Sequence, residues 1–367
     1  MRKTSLSLVL GLAVVAAPAL ARQGAIGPAA TAPTATAPAT VSPGIGLPRV
    51  RLVATGGTIS NRRGRRLTAD EIIASVPGMA ATATVETEQF ANLASSELTL
   101  DQWLALARRL NTLYREDASL SGIVVTSGTD TLEELAYFLH LTVRDQRPVV
   151  VTGSMRNPNE VGYEGPANLL ASVRVAGDPA AAGRGVLVVL NDEINGARDV
   201  TKTDSLRLQT FASRGFGPLG VVDADRVVFR RTAEGRHTSA SEFDVATVDS
   251  LPRVDIFLTY QGAAGDLIKA AVDLGARGVV IATAGAGATS GTQQQGLDYA
   301  RERGVPVVAT TRAGSGRIAG VGQAPHVAPT RRVAGGDLSA VKARVLLMLA
   351  LTRPSQPDQL QRMFDEY

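Results

Sequence analysis

Arg49–Ser60 reads RVRLVATGGTIS. An apolar run of strand character ends on two glycines, and a threonine, Thr58, follows directly. A diglycine exit admits positive φ and lets the backbone come close to another backbone or to a ligand. Two readings stand: a tight turn that closes a strand, or a nucleophile set at the strand's end. What else the chain brings to the same edge decides between them.

Working outward, short β-branched runs at 49–54, 122–126, 148–152 and 185–190 alternate with helical patterns at 68–76, 99–114 and 131–143. Near-continuous Val/Ile/Leu runs bounded by Gly or Pro suit a parallel sheet covered on both faces, so the fold class is α/β. Three of the strands end in small or hydroxyl residues, in TGGT, TSGTDT and TGSMR. Open α/β sheets bind ligands at the carboxyl ends of their strands, which predicts one site built from all three. A polar, irregular stretch then gives way to a second series at 253–259, 278–284 and 305–310, closed by a helix at 338–351. The organisation expected is a larger N-terminal domain (48–231), a linker (232–252) and a smaller C-terminal domain (253–367).

The chain has 367 residues, enough for two domains. Arg2, Lys3, an apolar segment and the Ala19-Leu20-Ala21 step read as a signal peptide over 1–21. The alternative, a membrane anchor, fits less well because the run is short and ends in Pro and Ala. Residues 22–47 are rich in Ala, Pro and Thr, with nothing to bury, and read as a disordered tether. Localisation is then periplasmic, or secreted, with no membrane contact after cleavage. Without Arg2 and Lys3 the chain carries 36 basic and 34 acidic residues. That balance, with no clusters of aromatic and basic residues, argues against nucleic acid. There is no cysteine, and the three histidines have no ligand spacing, so no cofactor and no metal site is expected.

With no thiol available, the remaining candidates for chemistry are hydroxyls, carboxylates and a lysine. In TSGTDTLEEL, Thr131 and Glu134 fit a capping box and Asp130 a helix cap, a sufficient reason for the segment. Yet Thr129 and Asp130 also stand where a strand leaves towards a ligand site. In NDEINGARDVTKTDS, Lys202 is either a solvated loop cation or a proton acceptor. Only four lysines occur, and a desolvated lysine can give up a proton where an arginine cannot. Together, Thr58 as nucleophile, Thr129 and Lys202 as proton relay and strand-end N–H groups as oxyanion donors could make a nucleophilic site, beside the plainer reading of a turn, a capped helix and a polar loop.

TGGTIS, SGTDTLEE, TGSMRNPNEVGYEGPANLLASV and GVLVVLNDEINGARDVTKT follow one another in this order, and KARVLLMLALTRPSQPDQLQRMF stands near the end. From about Pro48 to Tyr367 the chain resembles the L-asparaginase family in its secreted bacterial branch. The resemblance implies two Rossmann-like domains with mainly parallel sheets, and a homotetramer whose sites are shared between subunits. It implies hydrolysis of the side-chain amide of L-asparagine, a small amino-acid amide, through a threonine acyl-enzyme. Thr58 matches the nucleophile, Thr129 and Lys202 the second threonine and the lysine, and Asp130 the carboxylate for the substrate amino group. Ser95, with Ser96 beside it, matches the position that takes the substrate carboxylate. Ser154 and Met155 match the wall near the side-chain amide.

Three departures qualify the match. The family's loop after TGGT carries a tyrosine that supports the nucleophile, whereas NRRGRRL (61–67) has none. That stretch reads as a solvated hairpin turning at Gly64, rather than as a lid whose arginines face the substrate. Where the neighbouring subunit would offer Asn or Ser, ATAGAGATSG has Ala286 and Ala288, then Thr289 and Ser290. No Asp or Glu lies between Arg312 and Gly336, where a glutamate for the substrate ammonium is implied, and Gln323 falls near its place. Weaker or relaxed substrate selection follows. The alternatives are an amidase preferring glutamine or D-asparagine, and a catalytically weak amino-acid-binding protein of the same fold. A dinucleotide-binding turn is disfavoured, since TGGT lacks the GxGxxG spacing and an acidic ribose partner.

Overall fold

A computed structural model describes residues 46–318, 332–353 and 356–367. The expected signal peptide, residues 22–45 of the tether and Gln323 lie outside the described residues.

β1 (Arg49–Gly56) leads into a hairpin of β2 (Asn61–Arg62) and β3 (Arg65–Arg66), turning at Gly64 with φ 83°. α1 (Ala69–Ala74), capped by Thr68 and Glu71 reciprocally, and α2 (Met79–Thr82) carry the chain to β4 (Thr84–Leu93). There follow α3 (Leu100–Glu116), β5 (Leu120–Thr126), α4 (Leu132–Thr142), β6 (Val149–Thr152) and α5 (Gly165–Gly177). The larger sheet is completed by β7 (Val186–Leu190), β8 (Glu193–Gly196), β11 (Gly220–Val222) and β12 (Val227–Phe229). Between β8 and β11, β9 (Val200–Lys202) and β10 (Phe211–Ser213) form an antiparallel pair of their own. β13 (Val254–Leu258), α6 (Asp266–Asp273), β14 (Gly278–Thr283), α7 (Gln293–Glu302), β15 (Val307–Thr311) and β16 (Val333–Ala334) make a second, smaller sheet with its intervening helices, before α8 (Ala340–Ala350) and α9 (Pro357–Glu366).

The larger sheet runs β12-β11-β8-β7-β6-β5-β1-β4 and the smaller β13-β14-β15-β16, all parallel. In the larger one, β4, β1, β5, β6 and β7 are mutually parallel. The chain leaves β1 for β4 on one side and later places β5 on the other. That reversal makes a switch point between β1 and β5, the place in open α/β sheets where ligands bind outside the carboxyl ends of the strands. TGGT and TSGTD end these two strands. The central strands are buried on both faces, as their apolar runs require.

β4 escapes the apolar-run criterion for a physical reason. It is an edge strand, and Glu86 and Glu88 along it pair with Arg49 and with Arg109 (2.8 Å). Edge strands carry charge where central ones cannot. The capping box expected at Thr131 and Glu134 does not form: Thr131 precedes α4 without a side-chain cap. The Thr131 N–H points instead at Ser95 Oγ, 3.4 Å away, and Glu134 lies beneath α8 with Arg344 at 3.8 Å. Burial raises the Glu134 carboxyl above its usual range.

On α4, His140 is buried beside His237, with ring centroids 4.9 Å apart, and its Nδ1 accepts the Val186 N–H at 3.1 Å. Burial lowers its pKa well below the usual value, aided by His237, Arg198 and Lys342. The folded state thus keeps this imidazole neutral while the unfolded chain protonates it near pH 6.5. Its contribution is complete above that pH and is lost as pH falls below it, at about 1.4 kcal/mol per pH unit. Denaturant midpoints between pH 7 and 5 should fall, and His140→Gln should flatten the slope. An unchanged slope in the variant would remove His140 as its source.

Candidate functional site

The turn after β1 explains its two glycines. Gly56 and Gly57 have φ of 111° and 91°. A Cβ on Gly56 would lie 2.4 Å from the Leu93 carbonyl oxygen, and one on Gly57 would lie 2.3 Å from the Gly128 nitrogen. The turn is wedged between the ends of β4 and β5, and no side chain fits at either position. Gly57 N–H donates to Leu93 O at 2.8 Å. Thr58 then opens a single 3-10 turn (Thr58–Ser60), half-buried, with Ile59 and Ser60 beneath it.

Lys202 reaches the same edge from β9. Its Nζ donates to Thr129 Oγ1 at 3.0 Å and to Asp130 Oδ1 at 2.7 Å. The three side chains differ sharply in solvent contact: Thr129 is 5% exposed, the Lys202 side chain 15% and that of Asp130 74%. An ion pair so open on one side adds little stability, and its carboxylate stays free to take a ligand cation. Ser95 is buried, and its hydroxyl faces Gly128 and the Thr131 N–H. Ser96 beside it is exposed. Ser154 is buried and donates to Arg156 O at 2.7 Å, while Met155 is half-buried against the main core. Thr55 and Thr152, by contrast, donate to the Thr126 and Val189 carbonyls, each at 2.7 Å, and so lock neighbouring strands.

Several supporting side chains were not singled out by sequence. Glu133, in the first turn of α4, accepts from Thr201 Oγ1 (3.0 Å) and from the Lys202 N–H (3.3 Å). Lys342 on α8 is buried and donates to the carbonyls of Arg198 (2.7 Å) and Val200. Burial pushes the Lys342 ammonium down to about 8. Glu133 and Lys342 thus grip β9 from two helices and set where Lys202 points. Lysine scarcity was a signal for Lys342 as much as for Lys202.

The hairpin after the Thr58 turn is solvated only in part. Asn61, Arg62, Arg63 and Arg65 are exposed, and Arg65 pairs with Glu71 at 2.7 Å. Arg66 folds inward and donates to the Gly57 carbonyl at 3.2 Å. A phenol also reaches the turn, from another element: Tyr163 OH donates to Ile59 O at 2.7 Å.

An α/β sheet whose switch point presents hydroxyls, a lysine and an open carboxylate is equipped for amide hydrolysis without thiol or imidazole. Residues 49–235 match the family description "Asparaginase, N-terminal", and residues 253–364 match "Glutaminase/Asparaginase C-terminal domain". L-asparaginase 2 of Bacillus subtilis strain 168 is 42% identical over 331 residues, covering 88% of this chain and 87% of that protein. The probable periplasmic L-asparaginase of Haemophilus influenzae is 38% identical over 333 residues, covering 88% and 93%. Among solved structures, the probable cytoplasmic L-asparaginase from Campylobacter jejuni is similar with a TM-score of 0.82 at 37% identity. That match covers 87% of this chain and 100% of the other. The chain belongs to the asparaginase family and is a hydrolase of that kind.

Proposed function

We propose that the enzyme hydrolyses the side-chain amide of L-asparagine to aspartate and ammonia. The carrying observation is Lys202 Nζ, hydrogen-bonded at once to Thr129 Oγ1 and Asp130 Oδ1 at the edge where Thr58 leaves β1. Thr58 Oγ1 attacks the amide carbon while Thr129 and Lys202 take its proton and pass one to the leaving ammonia. Water then cleaves the acyl-threonine by the same relay. Asp130 holds the substrate ammonium, Ser95 and Ser96 its carboxylate, and Ser154 and Met155 wall the amide.

The same reading divides the chain at a 232–252 linker, exports it to the periplasm, and assembles it as a homotetramer with shared sites. No carboxylate lies between Arg312 and Gly336 to meet the ammonium from a neighbour. The loss of one charge-assisted contact raises KM, at a cost of roughly 1.5–3 kcal/mol in binding.

Residues 22–367 should release ammonia from L-asparagine faster than from L-glutamine or D-asparagine. A protein that releases none, yet melts higher with asparagine present, is a binding protein and not an enzyme.

A further inference from the structure

The segment before α5 joins two sides of the candidate site at one point. Tyr163 OH donates to the carbonyl of Ile59, the residue after Thr58, across 104 positions of sequence. Its neighbour Glu164, the residue before α5, accepts from the Met155 N–H and from the Arg156 N–H at 3.3 Å. One dipeptide therefore holds the Ile59–Ser60 peptide, one residue past the threonine, and the loop of Ser154 and Met155.

Its own position is rigid. Gly165 lies against the Tyr163 ring, where an added Cβ would sit 2.3 Å from the nearest phenol atoms, and Pro166, the second residue of α5, has a preset φ. Further along α5, Asn168 donates to the Gly153 carbonyl at 3.0 Å, so the loop is tied twice to this helix.

The turn it holds is not self-supporting. Thr58–Ser60 is one 3-10 turn without a longer hydrogen-bond ladder, and it follows two residues at positive φ. On its near side, the Gly57 carbonyl is gripped by Ser60 Oγ (3.0 Å) and by Arg66. On its far side, the Ile59 carbonyl is gripped by Tyr163. Rotation of the Ile59–Ser60 peptide, whose carbonyl Tyr163 holds, moves the turn that carries Thr58 Oγ1, and misplacement by about 1 Å costs on the order of 10²-fold in rate.

We propose that Tyr163 is a positioning residue for Thr58, and that the Tyr163-Glu164 dipeptide sets the spacing between the nucleophile and the Ser154-Met155 wall. This rests on the reading of Thr58 as nucleophile. The spacing governs side-chain length, so the dipeptide also contributes to the choice between asparagine and its one-methylene-longer homologue. The phenol acts as a fixed donor and not as an acid or base. Burial, with Glu164 beside it, raises its pKa above the ordinary phenol value, so it keeps its proton throughout the working range.

The test is Tyr163→Phe, which keeps the ring and removes only the donor. Parent and variant are compared for kcat and KM on L-asparagine and L-glutamine across pH 5–9, with melting temperatures alongside. For L-asparagine, kcat should fall roughly 10- to 100-fold, with KM changed less than about 3-fold. The glutamine-to-asparagine ratio of kcat/KM should rise, and the pH profile should keep its shape. Glu164→Gln, which leaves Tyr163 in place, should raise the same ratio with a smaller loss of kcat. A kcat within about 2-fold of the parent, or an unchanged ratio in both variants, overturns the proposal. A changed pH profile would make the phenol a proton-transfer group and overturn it as well. A parent that releases no ammonia refutes the proposed reaction itself, which separates the two failures.

Discussion

Thr58→Ala should lower ammonia release from L-asparagine by roughly 10⁴- to 10⁶-fold, the scale of removing a hydroxyl nucleophile from an intact hydrolytic site. The backbone of the turn does not depend on the lost side chain. Gly56 and Gly57 are wedged against Leu93 and Gly128, and the two carbonyls of the turn are held by Arg66, Ser60 and Tyr163. Melting temperature and elution volume should therefore match the parent within error. Thr58→Ser keeps the hydroxyl but loses the β-methyl that restricts χ1, and a loss intermediate between parent and Thr58→Ala is expected. Parental rates in Thr58→Ala would remove Thr58 from the chemistry and return the Gly-Gly-Thr stretch to a turn.

Lys202→Arg should be nearly as damaging, by roughly 10²- to 10⁴-fold in kcat, the range of a lost general base. The substitution retains positive charge opposite Asp130, so electrostatic retention of that carboxylate is not what it removes. It replaces a single ammonium that contacts Thr129 Oγ1 with a planar guanidinium that stays protonated at every working pH and so cannot cycle a proton. Lys202→Met removes charge and donor together. Equal losses in the two variants assign the effect to proton transfer. If the arginine variant works at near-normal rates and the methionine variant does not, Lys202 is a structural cation that holds Asp130.

Both variants probe geometry that motif reading reached in part. Thr129, Asp130 and Lys202 were each singled out from short stretches, and the fold brings all three into contact across more than 70 positions of sequence. Glu133 stood in view inside SGTDTLEE, yet its grip on Thr201 and on the Lys202 N–H was not legible. A carboxylate in the first turn of a helix has an adequate local reason in the helix dipole. Only the approach of β9 gives it a second one. Tyr163 was hidden in the same way, because the sequence shows a tyrosine missing from the hairpin at 61–67 and cannot show a phenol arriving from the far side of the turn.

By itself, the amino-acid sequence determined the α/β class, the central strands and their carboxyl-end turns, the glycine exit before Thr58 and the family. These are written in local chemistry: apolar runs that must be covered on both faces, glycines where φ is positive, and motifs of contiguous residues. Tertiary structure alone decided the charged edge strand β4, the empty capping box at Thr131, the clamp of Glu133 and Lys342 on β9, and the meeting of Tyr163 with Ile59. Each depends on which distant backbone carbonyl or N–H a side chain meets. That is set by strand order and by the depth at which a helix packs, and neither has a local signature in the chain.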